Sequence, residues 1–204
     1  MPTVSPRRAE TRRRLLDAAG TAFAEEGFGR SSVEQVCERA GFTRGAFYSN
    51  FTSLDELFLA LWEQRSAAML DAIRTALTDP SGPAPASVED AVDRVLAAIP
   101  VDDAWYRITA EFTAHALRNP ALKRVVAARE EAILHTILPI VEDALAATGR
   151  RVTDRTALGH ALVAIHDGTT VQILLEPGNE TVRQARRRLF VTVIDNYSAA
   201  TDRR

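Results

Sequence analysis

A single cysteine, Cys37, stands in 204 residues. That excludes an intramolecular disulfide framework and fits a reducing compartment. No run of about 18 apolar residues occurs, so no segment is expected to cross a membrane. The opening MPTVSPRRAETRRR lacks the apolar stretch that directs secretion, and the cytoplasm is the expected location. Lysine is almost missing: of 25 basic residues only Lys123 is Lys, which reads as a coding bias rather than a functional choice. Strand-like alternation is nearly absent. With only 10 Gly and few aromatics in an Ala-rich chain, the composition leans towards helix. Internal repeats and low-complexity tracts are missing too.

Catalytic signatures are equally scarce. There is no G-x-S-x-G, no phosphate loop, no dinucleotide fingerprint and no H-E-x-x-H. The paired acids Glu130-Glu131 and Glu142-Asp143 read as solvated helix faces. Four His (115, 135, 160 and 166) and one Cys make no zinc spacing. The chain is therefore not expected to be an enzyme, nor to carry a metal or another cofactor.

What is there is a charge asymmetry and a succession of helix signals. Residues 1–52 hold eight Arg and six acids, net +2; residues 53–204 are net −4. A mildly basic head on an acidic body suits a local contact with DNA. The basic start Arg7, Arg8, Arg12, Arg13 and Arg14 either reaches a minor groove or phosphates, or stands as a solvated, partly disordered segment.

The spacing predicts an all-α chain of about nine helices. The first runs over 8–26, with Leu15, Ala19, Ala22 and Phe23 on one stripe and Gly27 as its stop. Ser31 and Ser32 offer caps for a short helix to residue 40, with Val33, Val36, Cys37 and Ala40 inward. Thr43 caps a third, over 43–50. Ser53 with Glu56 opens a fourth, to residue 78. A Pro-rich loop covers 79–87. Ser87 opens the next helix, to 99, and Asp102 or Asp103 another, to 119. Pro120 starts a long helix through 147, in which Pro139 predicts a kink. A turn at 148–151, a strongly apolar helix over 153–175, a break at 176–179 and an amphipathic helix over 181–199 before the tail TDRR complete the pattern.

Two short helices joined at Ala40-Gly41-Phe42-Thr43 form a helix-turn-helix pattern. Such a turn needs a residue that tolerates positive φ, here Gly41, and small residues where the helices approach: Cys37, Ala40 and Ala46. The outward face of the second helix carries Thr43, Arg44, Tyr48, Ser49 and Asn50, short polar, basic or aromatic groups fit for a groove. Phe23, Phe28, Val33, Val36, Cys37, Phe47 and Phe51 read as the core of this head.

Residues 23–58, FAEEGFGRSSVEQVCERAGFTRGAFYSNFTSLDELF, closely resemble the N-terminal domain of the TetR family of bacterial transcriptional regulators. The matching features are Phe23, Gly27-Phe28, Ser31-Ser32-Val33, Ala40-Gly41-Phe42-Thr43, Gly45-Ala46-Phe47-Tyr48, Phe51 and Ser53. The resemblance implies a DNA-binding domain over 1–52 and an effector-binding and dimerisation domain over 53–204. It implies that Thr43, Tyr48 and a hydroxyl at Ser31 or Ser32 bond phosphates, which set register without reading sequence. Arg44 would meet a base edge, Gly45 would let the backbone come near, and Ser49 and Asn50 would be further contacts. The chain departs from the family at Leu54, where a Lys usually meets the backbone. Leu54 is expected to pack.

For the body, the resemblance implies a homodimer through a four-helix bundle of the last two helices. Ile165, Thr169 and Gln172 on one stripe, with Phe190, Val193 and Tyr197 on the other, are the candidates, along with small neighbours such as Ala164 and Gly168. It also implies a pocket for a small-molecule effector with an apolar part, whose binding lowers operator affinity. Trp62, Met69, Trp105, Tyr106, Phe112, His115 and His166 are the candidate lining, with Glu111, Asp167 and Arg107 as charged anchors. The expected function is a repressor of transcription, bound to a palindromic operator in double-stranded DNA and released by a ligand. The alternative is a helical ligand-binding or adaptor protein that binds DNA weakly or not at all, for which Leu54 is the hint.

Overall fold

Helix ends in this chain are set by side chains that reach back to unpaired backbone groups. In the computed structural model, which describes residues 5–78 and 82–201, nearly every expected cap is in place. Ser5 caps α1 (Pro6–Glu26), with Pro6 in its first turn. Ser32 and Gln35 form a reciprocal capping box on α2 (Val33–Ala40), with Ser32 N donating to Gln35 Oε1 at 2.7 Å. Thr43 caps α3 (Arg44–Tyr48). Ser53 accepts from Glu56 N at the start of α4 (Leu54–Thr78). Ser87 caps α5 (Val88–Ala98), which is followed by α6 (Asp103–Ala116). Asn119 Oδ1 accepts from the first amides of α7 (Pro120–Ala147), which runs through Pro139 as one helix. Asp154 caps α8 (Arg155–Leu175) and Asn179 caps α9 (Glu180–Asn196). Among the described residues there are thus nine α-helices, as the spacing predicts. Parts of the expected loop (79–81) and tail (202–204), and residues 1–4 of the opening segment, lie outside the described residues.

Three details differ. Helix α1 begins at Pro6, so the basic start is helical and not an arm. Helix α3 stops at Tyr48, because Asn50 Nδ2 and Ser49 Oγ both turn back to the Ala46 carbonyl, at 2.8 Å each. The turn expected at 148–151 and the end of the last helix form a two-stranded antiparallel ribbon, β1 (Arg150–Val152) with β2 (Ser198–Ala200). Such three-residue strands show no alternation to read, and their pairing joins segments 48 residues apart. Arg150 fastens it by donating to Ser198 Oγ at 2.9 Å.

The chain forms two compact units: residues up to Ala67 with Asp103–Lys123, and Ala68–Asp102 with Arg124 onward. In the first, Phe23, Phe47, Phe51, Phe58 and Phe112 are almost wholly buried, with Leu15, Val36 and Leu57. Phe28, in a short 3₁₀ turn over Phe28–Arg30, lies edge-on to Phe112 at 5.0 Å, while Phe58 stacks on Phe112 at 3.8 Å. The head core expected from the sequence is buried except for Val33, which is half-buried.

In the second unit, Val88 and Val92 of α5, Leu138 and Leu145 of α7, Leu158 and Leu162 of α8 and Ile194 of α9 make one cluster. Ile73, Leu77, Ala91, Ile140 and Ala144 make another. A polar knot sits beside them. Arg186, only 4% exposed, donates to Thr169 Oγ1 and Thr170 Oγ1, both at 3.0 Å, and to the His166 ring at 3.1 Å.

Gly27, between α1 and the 3₁₀ turn, has φ 89° and ψ 150°. A Cβ there would meet the Glu111 carboxylate oxygens of α6 at 2.9 and 3.0 Å. Gly27→Ala is expected to destabilise the protein by about 1–3 kcal/mol from backbone strain alone. Urea unfolding checks this. In a Glu111→Ala background the steric part disappears and the backbone part remains.

Candidate nucleic-acid interface

The tight turn at Gly41, with φ 70° and ψ 35°, brings α2 and α3 together as the helix-turn-helix pattern requires. Behind α3, Phe47 is fully buried and in ring contact with Phe51. In front, Thr43, Arg44, Gly45, Tyr48 and Ser49 are all exposed and contiguous. Tyr48 is an aromatic half open to solvent. A Cβ at Gly45 would meet nothing nearer than Thr43 Oγ1 at 3.7 Å, so the missing side chain leaves this surface low. The face can present a hydroxyl, a guanidinium, bare backbone and a phenol to a groove, while the exposed Ser49 donates its hydroxyl to the Ala46 carbonyl.

The remaining candidates are held by the fold itself. Asn50 is half-buried and closes α3 through its amide, and its Oδ1 has no protein partner. That makes it the end of the helix rather than a group free to read a base. Ser31 is half-buried and donates to the Gly27 carbonyl at 2.8 Å; Ser32 is the α2 cap. Leu54 is half-buried in the first turn of α4. Cys37 is buried and its thiol is pushed up by burial, which suits a packing role.

The arginines of α1 act on the backs of the two short helices. Arg14 Nη2 donates to the Ala40 carbonyl at 2.7 Å and covers the Phe42 ring at 4.7 Å. Arg8 donates to the Ser49 carbonyl at 3.2 Å, and Arg12 to the Asn50 carbonyl at 3.5 Å. Arg12 also lies over the Phe51 ring at 4.4 Å. Three cations therefore meet the carbonyl ends of α2 and of the α3 turn, where a positive charge is favoured. Sequence reading missed this, and equally the ion pair of Arg44 Nη1 with Glu34 Oε1 at 3.0 Å. The available signal was a run of Arg on the helix before the motif.

Of the expected effector-pocket residues, Trp62, Trp105, Tyr106, Phe112 and His115 belong to the first unit. Trp62 and Trp105 lie 5.8 and 6.0 Å from Phe58, while Phe112 is fully buried core. His115 meets Asp55 at 3.2 Å and the Phe28 ring at 5.5 Å. Glu111 reaches the Gly29 amide at 3.4 Å, and Arg107 is exposed and paired with Asp103. Met69 and His166 belong to the second unit: Met69 packs on the Ile73 cluster, and His166 faces Arg186. Asp167 is exposed. Among the described residues no group of three or more His, Cys, Asp or Glu is placed to hold a metal ion, and no helix is long and apolar enough to cross a membrane.

Burial, and then the Arg186 charge, lowers His166 from 6.5 to about 4, so it is neutral at pH 7. Its Nδ1 accepts from Arg186, leaving the proton on Nε2. A depressed histidine stabilises the fold above its unfolded value, and that share is lost as pH falls from about 6.5 towards 4. The loss is on the order of 2–3 kcal/mol. Urea midpoints measured across this range should fall less steeply for His166→Gln than for the native chain. The Glu130 carboxyl, pushed up by burial and then by Asp167, acts in the opposite sense. It is common to both proteins and drops out of the comparison.

The proposed dimer residues divide. Gln172 is exposed and Ile165 half-buried, but Thr169 is buried against Arg186. Phe190, Val193 and Tyr197 pack on the protomer's own core, so their side chains serve the fold first. The outward stripe of α8 is His160, Ala164, Gly168, Gln172 and Leu175, and Leu189 is the exposed apolar residue of α9.

Comparison with known proteins agrees with the fold. Residues 15–61 match the family model for bacterial regulatory proteins of the tetR family, and residues 84–195 match that for the C-terminal part of BetI-type transcriptional repressors. The HTH-type transcriptional repressor AcnR of Corynebacterium diphtheriae is 35% identical over 74 residues, 36% of this chain and 39% of that protein. The regulator AcrR of Shigella flexneri is 39% identical over 54 residues, 26% of this chain and 25% of that protein. The matched region thus spans well under half the length of these relatives. Among solved structures, a TetR-family regulator of Mesorhizobium loti has a TM-score of 0.70 at 19% identity, covering 94% of this chain and 96% of that one. The multidrug binding protein EbrR, complexed with imidazole, has a TM-score of 0.62 at 27% identity, covering 94% and 95%. The chain belongs to the TetR family of bacterial transcriptional regulators.

Proposed function

We propose that the protein is a homodimeric repressor of the cytoplasm that grips a palindromic operator with α3 of each subunit and lets go when a small molecule binds its body. The observation that carries this reading is the exposed face of Thr43, Arg44, Gly45, Tyr48 and Ser49 on a helix pinned from behind by Phe47, Asn50 and the α1 arginines. Thr43 and Tyr48 take phosphates, and Arg44 takes a base edge, guanine by preference; Ser49 is a further contact once its hydroxyl leaves the Ala46 carbonyl. Ser31 and Ser32 act as local braces, with phosphate contact a secondary role for their hydroxyls.

Residues 1–52 form the DNA head and 53–204 the effector and dimer body. Helix α6, together with the first part of α4, shares a compact unit with the head. Its Glu111 touches the Gly29 amide, its Phe112 the Phe28 ring, and its His115 touches Asp55. An effector that displaces α6 therefore moves the turn that leads into α2. Trp62 and Trp105, both beside the Phe58 ring, support an effector with an apolar part. The outward α8 stripe with Leu175 and Leu189 is the surface offered to a second copy, where two heads on a two-fold axis read two half-sites.

A second reading, a helical ligand-binding or adaptor protein, draws on Leu54, which leaves the start of α4 without a cation for the backbone. One experiment decides between them. The purified chain is used to select duplexes from a random-sequence pool, and binding is followed by fluorescence anisotropy at rising salt. The expected outcome is a palindromic site whose affinity falls steeply with salt. A monomer that selects nothing and shows no salt-sensitive attraction to duplex DNA overturns the proposal in favour of the adaptor.

A further inference from the structure

Helix α3 carries one cation, Arg44, and that cation is not free. Glu34, ten residues earlier and in the first turn of α2, holds Arg44 Nη1 at 3.0 Å, with both side chains largely exposed. The guanidinium also lies over the Tyr48 ring, 5.9 Å from its centroid. An acid at the start of a helix has a local reason to be there, since it faces the positive end of the helix dipole. That reason does not explain why its carboxylate reaches across the turn to the first residue of the next helix. Exposed ion pairs contribute little to stability, so the pair's effect belongs to binding.

We infer that Glu34 is a specificity-determining residue of the DNA site: by holding Arg44 against Tyr48 it keeps the guanidinium from bonding phosphates on any sequence and presents it to one base. The inference rests on the reading of α3 as the helix that enters the groove. Two physical effects lead to it. Arginine has many rotamers, and a guanidinium ordered before binding loses less freedom when it pairs with a base edge. A carboxylate beside the phosphate backbone is repelled by every duplex alike, which suppresses binding wherever Arg44 finds no base to reward it. Glu34 thus lowers affinity for random DNA more than affinity for the operator.

The test measures affinities of the full-length protein for two duplexes, the one it selects from a random pool and the same base pairs shuffled. In Glu34→Gln, binding to the shuffled duplex tightens about three- to tenfold, and binding to the selected duplex stays or weakens slightly. The ratio of the two therefore falls by roughly tenfold, while the salt slope on the shuffled duplex steepens by about one phosphate contact. Glu34→Asp keeps the charge and loses the reach: its ratio also falls, with little gain on the shuffled duplex. In an Arg44→Ala background Glu34→Gln leaves the ratio unchanged. Thermal melting shows that each variant is folded.

An equal shift on both duplexes, or the same change of ratio without Arg44, shows a uniform charge effect and overturns the inference. If Arg44→Ala itself leaves the selected duplex bound as in the native protein, the placement of Arg44 in the groove fails, and the inference with it. If Arg44→Ala weakens that duplex and Glu34→Gln leaves the ratio intact, only the inference fails.

Discussion

Arg44→Ala lowers affinity for the selected operator about ten- to hundredfold and leaves the melting temperature where it was. The size follows from the loss of one bidentate contact to a base edge, about 1–3 kcal/mol. The unchanged stability follows from exposure: Arg44 contributes an ion pair at the surface and no buried contact. Discrimination should relax at one base pair of each half-site and persist elsewhere. Tyr48→Phe behaves differently. The ring and its edge contact with Phe47 at 5.3 Å survive, and only the hydroxyl is lost. Its affinity therefore falls less, and on all sequences alike, as expected for a phosphate contact. Anisotropy titrations on the selected duplex and on single-base variants separate the two patterns. Native affinity in both variants would mean that another surface meets DNA.

Phe112→Ala has the largest expected effect on stability, about 3–5 kcal/mol. The ring is fully buried, stacked on Phe58 of α4 at 3.8 Å and met edge-on by Phe28 at 5.0 Å. Its removal opens a cavity where α6, α4 and the 3₁₀ turn meet, and rigid aromatic neighbours collapse poorly into such a space. Phe112→Leu restores most of the volume and should recover most of the loss. The chain contains two tryptophans, Trp62 and Trp105, and both lie in this unit. Tryptophan fluorescence in urea therefore reports its unfolding, and circular dichroism reports the whole chain. A shift in the fluorescence midpoint worth less than about 1 kcal/mol would show that the ring is not part of the packing described. Because Phe28 precedes α2, the variant also loosens the head, and operator affinity falls with it at temperatures where the native protein is fully folded.

These two expectations rest on different kinds of information. Arg44 is visible in the sequence because its environment is local: Thr43 caps the helix, Gly41 makes the turn, and Phe47 marks the inward face three residues on. Most helix limits are legible for the same reason, since a cap and the amides it satisfies lie within three residues of each other. The aromatic character of Phe112 is visible as well, but its partners are not. Phe28 and Phe58 lie 84 and 54 residues away, and nothing in the spacing announces that they meet.

The candidate site was legible on its outer face and illegible behind it. Thr43, Arg44, Gly45, Tyr48 and Ser49 are exposed as expected, whereas Asn50 turns inward to close its helix. Arg8, Arg12 and Arg14 read as a basic arm because a run of arginine carries no mark of a carbonyl 26 to 41 residues away. The expected dimer stripe divides between surface and core: Gln172 is exposed, whereas Thr169 is buried against Arg186. Helix α8 is apolar on several sides, so its periodicity names no single face.

Capping, turn chemistry and apolar spacing act over a few residues, so the succession of helices, most of their limits, the helix-turn-helix and the family are legible in the sequence. Tertiary structure alone decided the fate of three consecutive arginines in α9: Arg186 is buried against His166 and two threonines, Arg187 pairs with Asp93 of α5, and Arg188 faces solvent. Each step along a helix turns a side chain by about 100°, so identical neighbours point to different surroundings. What those surroundings hold is supplied by chain that lies far away in sequence.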